Sequence, residues 1–157
     1  MEYIAPILIG FVAFEHFYFL VLEMFLWTKP RTIKIFGIRD KELAEDTKVL
    51  AANQGLYNGF LSAGLIISLI LKDDIISIIF LSFVITAGIY GAYSTKKLRL
   101  FMVQSVPAIL ALAAVLLTFR GCRIGYLWVL KKSKDETDIY TLNSGFRYFF
   151  HYQCTTS

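Results

Sequence analysis

Four long apolar stretches, separated by short polar segments, set the pattern of this chain. Residues 49–71, 75–95 and 100–119 contain no Asp, Glu, Lys or Arg. Each matches the ~20 residues a helix needs to cross the hydrocarbon core of a bilayer. A fourth stretch, Tyr3 to Trp27, is as long and carries only Glu15, His16 and Glu23 as acids or bases. In lipid, only helices and closed barrels satisfy their own backbone, and continuous apolar runs of this length specify helices. Four spans are therefore expected, at about 3–27, 49–71, 75–95 and 98–119. Asp73 and Asp74 mark a tight turn between the second and third, and Lys96, Lys97 and Arg99 mark the next. Connections this short permit only antiparallel hairpins. The expected fold is all-α: a polytopic membrane protein forming a four-transmembrane-helix antiparallel bundle over 1–119, followed by a tail at 120–157. Asp40 reads as an N-cap with Glu42 in the first turn and Leu43, Thr47 and Leu50 at helical spacing, so the second helix begins near residue 41. That start projects it about two turns beyond the membrane.

Composition agrees: 57% of the residues are hydrophobic and 18% charged, against about 25% charged in soluble chains. A soluble enzyme, a DNA-binding domain and a disulfide scaffold are excluded. The net charge of +4 needs no nucleic acid, because loop lysines and arginines of an inner-membrane protein produce it. The 28–48 loop carries Lys29, Arg31, Lys34, Arg39, Lys41 and Lys48, and the 96–99 turn adds three more, while Lys72 stands alone on the opposite side. This bias puts the N-terminus outside an inner membrane and both basic loops in the cytoplasm. The tail opposes it, leaving Arg120, Arg123, Lys131, Lys132, Lys134 and Arg147 outside. Residues 1–27 lack the basic start and small-residue cleavage site of a signal peptide. Cys122 and Cys154 have no partner at metal-ligand spacing and read as free thiols. In the tail, Ile124–Leu130 is too short to span, and Tyr126 and Trp128 suit the headgroup level.

Ionisable groups inside lipid cost at least ~2.5–3.5 kcal/mol each on insertion scales, so each requires a reason. Glu15 and His16 fall near the bilayer midplane, and Glu23 two turns nearer the basic side. His16 and Glu23 are separated by about 10 Å along a helix, so no shared metal is expected. Counting depth from the ends of the charge-free runs groups Glu23 with Asn53 or Gln54, Tyr90 and Gln104 in one polar layer. Glu15 and His16 fall near Asn58 and Thr86 in a second. Both layers should face the bundle interior and open toward the cytoplasm. Gly55, Gly59 and Ala63 form a close-packing ridge on the second span, and Ala87, Gly88, Gly91 and Ala92 a similar one on the third. Pro107 should kink the fourth span and free the carbonyl of Val103.

The segments FEHFYFLVLEMFLW (14–27), LAANQGLYNGFLSAGL (50–65), AGIYGAYS (87–94) and VQSVPAILAL (103–112) resemble a bacterial integral-membrane family known as domain of unknown function 1304. The resemblance covers about residues 3–119 and does not extend to the tail. It implies four membrane helices and brings no activity and no catalytic residue. Its signature segments contain Glu15, His16, Glu23, Asn53, Gln54, Tyr57, Asn58, Gln104 and Pro107.

Three functions compete. The polar layers bind or transport a small molecule, or relay a proton, through Glu15, His16 and Glu23. Alternatively, Glu15 and His16 act as the acid–base pair of an intramembrane enzyme on a lipophilic substrate. In the third, a structural or accessory subunit uses the polar groups only to lock helices in register. The first is favoured, because intramembrane ionisable residues are functional by default. No motif implies a cofactor. Beyond the lipid bilayer, the small-residue ridges allow a homo-oligomer but are equally accounted for inside one bundle.

Overall fold

A computed structural model describes residues 3–118; the expectations for the tail, including its cysteines, lie outside the described residues. The described residues form an all-helical structure, with four helices among them long and apolar enough to cross a membrane. Helix α1 covers Ile4–Met24, α2 Pro30–Phe36, α3 Lys41–Leu71, α4 Asp74–Thr95 and α5 Leu98–Thr118.

The helix ends follow local chemistry. Pro30 stands in the first turn of α2, where its missing N–H costs nothing, and Gly37 closes the helix in the left-handed region at φ 64°. Asp40 caps α3 as expected, its Oδ1 accepting the Leu43 N–H at 2.8 Å. Asp73 caps α4, accepting the N–H groups of Ile75 and Ile76. The 31 residues of α3 extend about 46 Å, some 16 Å more than a hydrocarbon core. The helix is thus longer than one crossing requires, and its charged residues, Lys41 to Lys48, are all in its first turns. The loop helix α2 was not anticipated.

The turn before Pro107, where a kink was expected, departs from α-helical bonding. Residues Phe101–Ser105 make a π turn in which the Val106 N–H reaches the Phe101 carbonyl. Proline cannot donate to the carbonyl four residues back and its ring crowds that carbonyl, so the turn before it widens.

Contacts between α1 and α3 run in opposite order along the two helices. Trp27 bonds Thr47, Glu23 meets Asn58, Leu20 lies on Gly59, and the Ala13 carbonyl meets Ser62. The two helices are antiparallel. Ser68–Ser77 and the Ile85 carbonyl–Ser105 bond continue the same sense through α4 and α5. One core joins all four helices through Val12, Ala13, Leu65, Leu81, Val84, Ala108, Ala111 and Val115. Its alanines, with Gly55 and Gly88, let the backbones approach, and Gly64 makes room for the Phe80 ring. The large side chains, Phe11, Phe14, Phe17, Ile67, Ile70 and Phe83 among them, point outward. Small residues inside and large apolar ones outside is the arrangement that lipid, rather than water, stabilises.

Candidate functional site

The polar interior is centred on α1. Glu23 is 5% exposed and Asn58 7%, and the Asn58 amide Nδ2 donates to Glu23 Oε2 at 2.6 Å. Gly55 makes this approach possible. A Cβ there would lie 3.1 Å from Glu23 Cβ and the Met24 nitrogen and 3.2 Å from the Leu20 carbonyl oxygen. One turn on, the Ser62 hydroxyl donates to the Ala13 carbonyl at 2.8 Å. Together these bonds fix the register of α3 on α1.

His16 is almost fully buried. Its Nδ1 lies 2.9 Å from the Val12 carbonyl oxygen, which can only accept, so Nδ1 carries the proton. In the neutral ring, Nε2 then holds a lone pair. The ring meets Phe19 edge-on at 5.9 Å between centroids. Glu15 is half-buried, and its Oε2 is inaccessible to solvent without a hydrogen-bond partner among the described residues. Successive helical residues diverge by about 100°, so Glu15 and His16 project in different directions, and among the described residues no hydrogen bond links them. A carboxyl oxygen held away from water with nothing to bond accepts a proton, a cation or a hydrogen-bond donor.

The two layers expected from depth are not the ones assembled. Asn53 and Gln54 lie on exposed faces of α3, and Tyr90 is 69% exposed on α4. Gln104 is half-buried beside Gly88, on the α4–α5 contact rather than near Glu23. The reason is register: α1 ends at Met24, short of the end of its apolar run, so Glu23 sits in the last turn and meets Asn58. Asn58 is thereby taken from the deeper layer, and the exposed Thr86 hydroxyl bonds back to the Ser82 carbonyl. Of the small residues, Gly55, Gly59 and Gly88 sit in helix contacts, Ala63 is exposed, and a Cβ on Gly91 would touch nothing within 4 Å. Pro107 acts through the π turn.

Hydroxyl groups were the signal missed. Ser62, Ser68, Ser77 and Ser105 are all buried and hydrogen-bonded, and their position inside apolar runs could have identified them. Among the described residues, no three His, Cys, Asp or Glu side chains group as a metal site.

The comparisons with known proteins agree with the resemblance. Residues 10–116, from the second turn of α1 to the last turn of α5, match the family described as Protein of unknown function (DUF1304). The chain is also 32% identical over 115 residues to the uncharacterized protein YpaA of Lactococcus lactis subsp. lactis (strain IL1403), covering 71% of this chain and 96% of that protein. No solved structure matches. The chain belongs to the DUF1304 family.

Proposed function

We propose that this multi-pass DUF1304 protein binds a small cationic or hydrogen-bond-donating species, or relays a proton, at an intramembrane site built on Glu15. The partnerless Oε2 of Glu15 carries the reading, since a polar atom shielded from water and left unbonded is costly unless something uses it. His16 holds a second proton-accepting atom at the same depth but on a different face of α1. Glu23 and Asn58 hold the helices and are not the site itself. The positive-inside bias supports a cytoplasmic location for α2 and the 96–99 turn.

A structural role is the second reading, and the Glu23–Asn58 and Ser62–Ala13 bonds favour it for those residues alone. The enzyme alternative draws less support, because Glu15 and His16 diverge on the helix. Native mass spectrometry of protein extracted in mild detergent tests the binding form. The wild type is expected to retain a stoichiometric small molecule that folded Glu15→Gln loses. For proton relay, proteoliposomes loaded with a pH dye should acidify under an imposed gradient with the wild type and not with Glu15→Gln. Absence of both effects refutes the proposal.

A further inference from the structure

The end of the bundle that carries α2 gathers two segments distant in sequence. Lys97 Nζ donates to the Phe36 carbonyl at 3.2 Å, which brings the 96–99 turn against α2. Trp27 fixes the other side of α2, stacking edge-on against Phe36 at 5.0 Å between centroids while its Nε1 donates to Thr47 Oγ1. Lys29, Arg31, Lys34, Lys96, Lys97 and Arg99 are all exposed there. The stretches that supply them, 24–39 and 75–119, contain no Asp or Glu. The two ion pairs among the described residues, Arg39–Asp40 and Lys48–Glu45, involve none of the six. The remaining acids on this side, Glu42 and Asp46, are in the first turns of α3. The six cations adjoin the ends of α1, α4 and α5, at the level where an apolar span meets headgroups, and Trp27 is suited to that level.

We infer that this basic end is a docking surface for the headgroup phosphates of anionic phospholipids. Six exposed cations without carboxylate partners, on two segments that the Lys97–Phe36 and Trp27–Thr47 bonds bring to one end of the bundle, match a layer of phosphates rather than bulk water. Each lysine or arginine near an anionic surface strengthens binding about fivefold, and the attraction weakens with salt.

The test uses the full chain in mild detergent, titrated with phosphatidylglycerol or phosphatidylcholine and read by native mass spectrometry. Wild-type protein is expected to retain phosphatidylglycerol at least tenfold more tightly than phosphatidylcholine. Arg31→Gln and Lys34→Gln, both on exposed side chains, should each lower that preference several-fold, and Arg31→Gln/Lys34→Gln/Arg99→Gln should abolish it. Lys72→Gln, at the opposite end, should change nothing. Equal retention of the two lipids overturns the proposal, as does a loss on Lys72→Gln equal to that on Arg31→Gln. Displacement of the lipid by millimolar inorganic phosphate would assign the surface to a soluble anion and overturn it too.

Discussion

Replacing Asn58 with Ala removes the donor from Glu23 Oε2 and leaves a carboxyl that is 5% exposed with that bond unmade. Stranding a buried polar group costs about 1–3 kcal/mol. Hydrogen bonds between membrane helices average ~0.6 kcal/mol and reach ~1.7 in double-mutant cycles. The 2.6 Å separation and near-complete burial of both partners place this one at the upper end. Asn58→Ala should therefore destabilise the bundle by about 1–3 kcal/mol, with a coupling of about 1–1.7 kcal/mol in the cycle with Glu23→Ala. Glu23→Gln retains an acceptor for Nδ2 and should cost less than Asn58→Ala. Reversible unfolding in mixed micelles by SDS titration, followed by tryptophan fluorescence, measures each corner. A coupling below about 0.3 kcal/mol, the scatter expected of independent sites, would refute the assignment of this pair as the α1–α3 lock.

The same titration should separate two glycines. Gly55→Ala forces α1 and α3 apart, because the new Cβ would meet backbone at 3.1–3.2 Å, whereas Gly91→Ala meets nothing and should be neutral or stabilising by up to about 1 kcal/mol. The Asp40 carboxyl is held below the ordinary aspartate range, first by the Leu43 N–H and then by Arg39. Its capping contribution is thus complete above that range and lost as pH falls through the lowered value. Protection of the amides at the start of α3, relative to their intrinsic exchange rates, should therefore fall on acidification in the wild type and lack that step in Asp40→Ala. Pro107→Ala restores a donor for the Val103 carbonyl and should convert the π turn to α-helix. Slower amide exchange across residues 101–107, as regular α-helical bonds replace the π turn, checks it, and unchanged exchange contradicts it.

Charge-free runs and the Asp40 cap were enough to anticipate four helices and an α3 that begins at Lys41. They left α2 unseen, although Pro30 and Gly37 bracket it at the start and stop positions, because seven residues carry too little periodicity. The burial of Glu23, His16 and Asn58 was legible from their cost in lipid. Their pairing was not, since depth counted from apolar runs takes each helix to end where its hydrophobicity ends. Met24 ends α1 early and α3 starts at Lys41, so Glu23 meets Asn58 rather than Asn53. Exposure of Asn53, Gln54 and Tyr90 follows from tertiary packing, on which depth along a helix says nothing.

The division of α1 into a lock at Glu23 and a site at Glu15 is tested most directly by the unfolding free energy of Glu15→Met. Methionine keeps most of the side chain's length and removes a shielded oxygen that nothing bonds. If Glu15 is retained for what it binds, the variant should be more stable than wild type by about 1–3 kcal/mol. A loss of similar size would mean that Glu15 holds the bundle together, and would contradict the account.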